Sequence, residues 1–208
     1  MITLFYLPKS SEKRITFFKK YFEKECLLWL IILLSACCPD VDQNLNSKIK
    51  SWAPYFTNQE VVFQNEKQDS ILFRIKKTNR TEIGHDKVCG NYDIETVETM
   101  LFNPADTTFQ FKIALTQEVL LKLDSYRAQP RAKNLTAMFN TVSEQFVSDD
   151  WRDRYLSEIS LNGKTYKNVL HIYANFPVPG TSFLEIYYAQ HVGLVAFSDF
   201  QGIWYYLK

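Results

Sequence analysis

The chain has 208 residues, with 24 Lys and Arg against 23 Asp and Glu, so its formal net charge at pH 7 is +1. This near-neutral balance lacks the basic excess that marks a nucleic-acid-binding surface. Six Gly and seven Pro are too few for a low-complexity chain, and an aromatic content of 15% favours sheet over helix. These numbers predict one ordinary globular domain that is rich in strands.

The first 36 residues have the order of a secretory signal. Six basic and three acidic residues come first, and an apolar run from Leu27 to Leu34 follows them. That run is shorter than the about 20 apolar residues that cross a bilayer, and it fits the core of a signal peptide. The small residues Ser35 and Ala36 then precede Cys37. The alternative interpretation is a short buried helix that ends in cysteines.

The sequence Leu34-Ser35-Ala36-Cys37 resembles the bacterial lipobox. The resemblance implies that residues 1–36 are a cleaved signal peptide and that the Cys37 thiol carries a diacylglycerol. It also implies fatty acids such as palmitate on the new amino group and a place in the cell envelope, where we expect the outer membrane. One acyl chain binds a membrane only marginally, whereas two or three attach the protein almost permanently.

Cleavage before Cys37 leaves 172 residues with 18 basic and 20 acidic side chains. Residues 37–51 are polar and are predicted to form a flexible tether, which places a single antiparallel β-rich domain at residues 52–208. Three thiols do not make a disulfide framework. Cys38 and Cys89 either pair with each other in an oxidising envelope or stay unpaired.

The first half of this domain contains short runs with strand patterns. In chain order they predict strands at residues 60–63, 71–75, 92–102, 108–115 and 119–123. Pro104 ends the third, because proline has no N–H to donate to a sheet. In residues 135–146 the apolar side chains recur at helical spacing, which fits a short helix. A strand followed by a loop fits this stretch equally well.

The last third has the clearest pattern. Asn162-Gly163 separates strand-like runs at 155–161 and 164–173, and Asn-Gly is the strongest short signal for a hairpin. Further strands are predicted at 183–189, 194–197 and 203–207. Strands at short spacing with tight turns indicate an antiparallel meander, which we expect to form a sandwich or a curved half-barrel.

This tail also resembles known sequences. Residues 185–189 read Glu-Ile-Tyr-Tyr-Ala, residues 192–197 read Val-Gly-Leu-Val-Ala-Phe, and residues 202–207 read Gly-Ile-Trp-Tyr-Tyr-Leu. Together with the lipobox they resemble small uncharacterised envelope lipoproteins of Bacteroidota-type bacteria. The resemblance implies an antiparallel sheet closed by a final aromatic strand, and it transfers no catalytic residue.

Few side chains have a spacing that points to chemistry. His85 and Cys89 are four residues apart in a glycine-flanked stretch, which is a weak candidate for a metal ligand pair or a nucleophile. His171 is predicted within a strand as a packed or rim residue, and His191 in a turn. An acidic group could ligate calcium or form a solvated loop. It consists of Asp149, Asp150 and Asp153.

Aromatic residues near the C-terminus could line a sugar or lipid cleft. They are Tyr187, Tyr188, Trp204, Tyr205 and Tyr206. Adjacent residues of a strand point to opposite faces, so only alternate members can share a surface and the others belong to the core.

Two tripeptides, Asp69-Ser70-Ile71 and Asp106-Thr107-Thr108, resemble the acceptor sequence of envelope O-glycosylation in the same bacterial group. Both lie in predicted turns, where an acceptor is accessible. The resemblance implies glycosylation at Ser70 and Thr107.

We therefore predict a membrane-anchored lipoprotein that is not an enzyme and needs no cofactor or metal. It is expected to serve as a binding or structural component of the envelope, with an envelope protein or a glycan as partner and no nucleic acid. One alternative is a carrier of lipid or lipoprotein, which needs an apolar groove in the curved sheet. The other is an envelope enzyme, which needs convergent ionisable groups in a cleft.

Overall fold

The computed structural model describes residues 42–43, 45–86, 90–106, 109–116, 120–126, 133–147, 151–174 and 183–208. The predicted signal peptide at residues 1–36 lies outside these residues, as do Cys37, Cys38, Cys89 and Thr107. Asp42–Gly84 and Asp93–Lys208 form one compact unit, to which the description below refers. Of the other unit, only the end of one strand and the beginning of the next are described.

Strands make up almost all of the described chain. In chain order the elements are β1 (Asp42–Gln43), α1 (Ser47–Lys50), β2 (Glu60–Gln64), β3 (Ser70–Asp86), β4 (Gly90–Phe102), β5 (Gln110–Leu115), β6 (Leu120–Tyr126), β7 (Lys133–Asn140), β8 (Gln145–Phe146), β9 (Arg154–Leu161), β10 (Lys164–Tyr173), β11 (Phe183–Ala189), β12 (Gly193–Asp199) and β13 (Trp204–Leu207). The predicted mainly antiparallel β fold is confirmed.

All of these strands belong to one sheet. Its order is β8-β7-β6-β5-β4-β3-β2-β13-β12-β11-β10-β9, and β1 pairs with β4 from outside this path. Most neighbours in the sheet are consecutive in the chain. The last strand, β13, is the exception, because it lies between β2 and β12 and so joins the first and second halves. The pairing of β1 with β4 is parallel, with Asp42 opposite Asp93.

The sheet curves until its two edges approach each other. Phe139 of β7 and Tyr155 of β9 come from opposite ends of the strand order, yet their ring centroids are 5.5 Å apart. Phe111 of β5 likewise meets Phe183 of β11 across the interior, at 4.6 Å. Of the two predicted architectures, the single curved sheet is therefore the one observed, and aromatic side chains fill its concave side.

Local sequence signals explain several of these elements. Asn162 and Gly163 have φ values of 46° and 76°, as the tight turn between β9 and β10 requires. Residues 135–146 form β7, a turn and β8, so of the two interpretations the helix is wrong and the strand with a loop is correct. Leu135, Ala137 and Phe139 are buried at alternate positions, which is a strand period, and Val142 in the turn is exposed.

The tether predicted at residues 37–51 is wrong for residues 45–51, and most of its first part lies outside the described residues. From Leu45 onward the chain is folded, with Asn46 capping α1 through its side chain, which accepts from the Ile49 N–H. Leu45, Ile49 and Trp52 are buried, with Ile49 in α1 and the other two directly outside its two caps. Three widely spaced apolar residues in a polar stretch thus anchor this segment to the core. We call residues 45–55 the plug.

Hydrogen bonds fix the plug to three parts of the sheet. The Ser51 carbonyl accepts from the His191 N–H at 2.8 Å, and the Lys77 ammonium donates to the Ala53 carbonyl at 2.9 Å. The Leu45 N–H donates to the Glu95 carboxylate of β4 at 2.9 Å. Because these partners belong to β3, β4 and the turn before β12, the plug covers one end of the curved sheet.

Tyr55 completes this closure. Its buried hydroxyl accepts from the Leu194 N–H at 2.6 Å, and burial raises the pKa of the phenol despite that bond, so it stays neutral. Gly193 makes room for it. Its φ is +92°, and a Cβ on this residue would lie 2.2 Å from the Tyr55 oxygen. Only glycine fits at this first position of β12, where Tyr55 of the plug packs against the backbone.

If the plug belongs to the fold, Ile49→Ala should destabilise the protein. Ile49 is 7% exposed, and truncating a buried isoleucine costs about 2–5 kcal/mol in the free energy of unfolding. Urea denaturation followed by circular dichroism measures the change. The neighbouring Lys48 is exposed, so Lys48→Ala should stay within about 0.5 kcal/mol of wild type. Equal stabilities for the two variants would contradict the plug.

Candidate functional site

A row of partly exposed aromatic rings crosses the convex face of β10, β11 and β13. We call it the aromatic strip, and its members are Tyr173, His171, Tyr187, Trp204 and Tyr206. The His171 ring centroid lies 4.3 Å from that of Tyr173 and 4.1 Å from that of Tyr187. Trp204 lies 5.5 Å from Tyr187 and 6.2 Å from Tyr206. The five rings therefore form one continuous surface.

The register of the strands brings these rings together. His171 lies opposite Tyr187 on neighbouring strands, and Tyr187 and Tyr206 both lie opposite Ala196 of β12, one on each side. Ala196 is fully buried although it faces outward, because the rings on either side cover it. A small residue on the middle strand is thus what allows aromatic side chains two strands apart to meet.

The prediction that alternate aromatic residues face opposite ways is confirmed. Tyr188 points inward, is buried, and donates its hydroxyl to the Trp52 carbonyl of the plug. Tyr205 also points inward and stacks on Phe197 at 5.2 Å. Tyr187 and Trp204 remain on the outer face. Some of the C-terminal aromatic side chains therefore pack in the core, and the others lie on the outer surface.

An imidazole and a carboxylate lie side by side on the strip. His171 Nε2 is 2.7 Å from a carboxylate oxygen of Glu185. Burial lowers the pKa of His171 below its ordinary 6.5, and this outweighs the hydrogen bond and charge of Glu185, which act in the opposite direction. The ring is therefore neutral at pH 7, and its Nε2–H donates to the carboxylate.

The same environment affects the neighbouring phenol. Burial, followed by the charge of Glu185, raises the pKa of Tyr187 to about 12. Its hydroxyl thus remains protonated and can donate a hydrogen bond at any physiological pH. The strip offers flat apolar faces together with a carboxylate, an imidazole and phenol groups within one short row.

Arginine borders the strip at the Tyr173 end. The Arg152 guanidinium carbon lies 5.4 Å from the Tyr173 ring centroid, and the guanidinium donates to the Ala174 carbonyl at 2.9 Å. Asp153 is buried here, and its carboxylate accepts from the Tyr173 N–H at 3.0 Å. Its side chain thus helps to hold the end of β10.

Asp149 and Asp150, the other members of the predicted acidic group, lie outside the described residues. Within the described part of the chain, no three His, Cys, Asp or Glu residues are placed to hold a metal ion.

The remaining predicted candidates are dispersed. His85 falls near the end of β3, of which only the backbone is described there, and its predicted partner Cys89 is outside the described residues. His191 is exposed in the turn between β11 and β12 with φ of 65°. Ser70 begins β3 and is exposed, as an acceptor for glycosylation must be, and its modification remains a prediction.

The sequence predicts the β9–β10 hairpin but carries no signal for where its tip lies on this face. The tip of the β9–β10 hairpin reaches across the convex side, where the Lys164 ammonium donates to the Leu207 carbonyl at 3.3 Å. Beneath it lies a small second core, in which Tyr166, Val169 and Val195 are buried and Tyr187 packs against its edge. The hairpin thus supports one side of the aromatic strip.

Comparison with models of protein families, with curated proteins and with solved structures finds no match to this chain. No helix among the described residues is both long and apolar enough to cross a membrane.

The lowered pKa of His171 predicts a dependence of stability on pH. Between the folded pKa and 6.5 the unfolded chain binds more protons, so the free energy of unfolding should fall as the pH drops through 6.5 toward the folded pKa. His171→Gln keeps a polar neighbour for Glu185 and should flatten this part of the profile. Thermal unfolding at a series of pH values measures it. His191→Asn, in an exposed turn, should keep the wild-type slope, and parallel wild-type and His171→Gln profiles would refute the assignment.

Proposed function

We propose that this protein is a lipid-anchored component of the bacterial envelope that binds a glycan, without catalysis, on its aromatic strip. The strip is the observation that carries the proposal. Its rings contact one another on the convex face and remain partly exposed. A contiguous patch of exposed aromatic rings, unlike a single exposed ring, is typical of a binding surface.

A sugar ring matches the chemistry of this surface. One face of a pyranose is a plane of C–H bonds, which the negative face of an aromatic ring attracts. Its hydroxyl groups project around the edge, where the Glu185 carboxylate can accept hydrogen bonds and the Tyr187 hydroxyl can donate one. Stacked rings with a few polar groups are typical of sites that orient a small polar ligand.

The carrier alternative receives less support. Its ligand would occupy the concave side of the sheet, where Phe73, Phe109 and Phe197 already pack against one another with centroids 4.9 to 6.1 Å apart. An open cavity of about 550 Å³ lies beside the plug. Apolar residues, among them Val61, Val62 and Leu207, form most of its lining, and the polar side chains of Gln59, Glu60, His191 and Lys208 interrupt it. A dry acyl-chain site needs a more uniformly apolar lining.

The enzyme alternative requires ionisable groups that converge in a cleft. His171 and Glu185 are close enough to exchange a proton, but they lie on the convex face beside stacked rings. Their arrangement suits hydrogen bonding to a ligand on a surface. This favours binding over catalysis, in agreement with the role expected from the sequence.

The anchor can be tested directly. Lipidation at Cys37 predicts that mass spectrometry of the membrane fraction finds an acylated N-terminal peptide that begins at Cys37. Cys37→Ala should remove the acyl groups and leave the signal peptide uncut, because the acceptor thiol is gone. Cys38→Ala is the matched control and should be processed like wild type. A Cys37→Ala protein of wild-type size that still floats with membranes would contradict the assignment.

Glycan binding predicts that Trp204→Ala weakens the affinity for soluble fragments of the envelope polysaccharides by about tenfold, which corresponds to about 1.4 kcal/mol. Isothermal titration calorimetry with the purified protein measures it. Trp204→Phe preserves an aromatic face and should retain most of the affinity. Circular dichroism must first show that each variant is folded.

Trp151 provides a matched control for this experiment. It is 79% exposed and is not part of the strip, so Trp151→Ala removes an equally large surface ring and should bind like wild type. Equal losses in the Trp204 and Trp151 variants, or no binding of any envelope polysaccharide by the wild-type protein, would refute the glycan proposal.

A further inference from the structure

We infer that the end of the curved sheet covered by the plug faces the lipid surface and that Ile83 and Phe56 contact the lipid there. The inference rests on the proposed acylation of Cys37. It adds an orientation and a second interaction surface that the proposed glycan binding does not require.

The length of the chain between anchor and fold is the first argument. Asp42 is held in β1 opposite Asp93 of β4, so the folded unit begins there and not at residue 52. Asp42 follows Cys37 by five positions in the chain, and a fully extended chain spans at most about 3.6 Å per residue. An acylated Cys37 thus keeps Asp42 within about 18 Å of the membrane surface, much closer than a tether of fifteen residues would.

The position of β1 on the sheet is the second argument. Asp93 lies near the beginning of β4, and Glu95, two residues later, binds the plug through Leu45 and pairs with the Lys50 ammonium at 2.8 Å. The other end of β4, at Phe102, is nine residues from Asp93, or about 30 Å along a strand. The anchor is therefore attached at the plug end, and the opposite end lies beyond the reach of the short connection.

Exposed apolar side chains at this end are the third argument. Phe56 directly follows the plug and is 75% exposed, and Ile83 is 74% exposed on β3, the neighbour of the strand to which β1 is bound. A single exposed apolar residue is ordinary on a protein surface. Here two such residues lie at the end of the sheet where the lipid anchor is attached. The membrane interface can accommodate both, because apolar and aromatic side chains partition into it.

Fluorescence quenching by lipid tests this orientation. The full chain is expressed in a bacterium that processes lipoproteins, and the acylated product is reconstituted into phosphatidylcholine–phosphatidylglycerol vesicles with brominated acyl chains. Ile83→Trp adds one indole at the plug end, and Phe56→Trp adds one at a second position there. Trp151 precedes β9 at the opposite end, so Trp151→Phe isolates its contribution as the control.

The difference between each variant and wild type gives the emission of a single indole. We expect the brominated lipid to remove most of the emission of the indole at position 83 or 56 and to leave that of Trp151 unchanged. The orientation is overturned if neither added indole is quenched, or if Trp151 is quenched as strongly. Two added positions keep the test valid if one variant does not fold.

Flotation of the vesicles separates the two proposals. A wild-type protein that carries no acyl chain and does not float overturns the lipidation of Cys37, and this inference with it. A protein that floats with its indoles unquenched at positions 83 and 56 overturns the orientation alone and leaves the anchor in place.

Discussion

A single curved sheet has to fill its own concave side, and in this protein phenylalanine side chains do so. Phe73, Phe111, Phe183 and Phe197 come from four different strands and meet with centroids 4.6 to 6.1 Å apart. Burying each such side chain contributes about 1.5–3 kcal/mol, and their edge-to-face contacts add more. These contacts hold opposite walls of the sheet together, so curvature, core and strand order depend on one another.

The filled interior determines where a ligand can bind. With the concave side occupied and one end covered by the plug, the convex face is the place where large side chains can remain accessible. Side chains along a strand point alternately to its two faces, so one strand contributes to both the core and the surface. Tyr188 of β11 lies in the core, and the adjacent Tyr187 belongs to the aromatic strip. The side chains that meet on this convex face are determined by the register between neighbouring strands. Ala196 of β12 is small enough for the rings of β11 and β13 to approach each other above it.

The sequence was sufficient for features that depend on neighbours in the chain. Asn162-Gly163 identified a hairpin because its turn requires positive φ, and the strands on either side of it and at 183–189 follow from their own patterns. The position of β13 between β2 and β12 depends on pairing between residues more than 140 positions apart, which no local pattern encodes. The sequence identifies Tyr187, Trp204 and Tyr206 as candidates for the aromatic strip, whereas the places of His171 and Tyr173 in it depend on cross-strand register.

The prediction of a flexible tether at residues 45–51 is wrong for a related reason. Leu45, Ile49 and Trp52 are separated by polar residues, so the segment has the composition of a linker even though their spacing fits one helical face. Their partners are distant in sequence, as Phe139 shows by packing on Trp52 at 5.3 Å. Residues 135–146 fit both the helical and the strand period. The strand forms because β7 pairs with β6 along its length.

The geometry of the strip has a consequence if the plug end faces the membrane. The strands then run away from the lipid, and the aromatic strip, which crosses from β10 to β13, runs across them. Three strand spacings of about 4.8 Å give a row of about 14 Å, which is longer than a single sugar ring. A polysaccharide bound along the strip would therefore lie roughly parallel to the membrane. A short connection at residue 42 would keep that direction fixed, whereas a long flexible tether would let the strip adopt any angle to the surface.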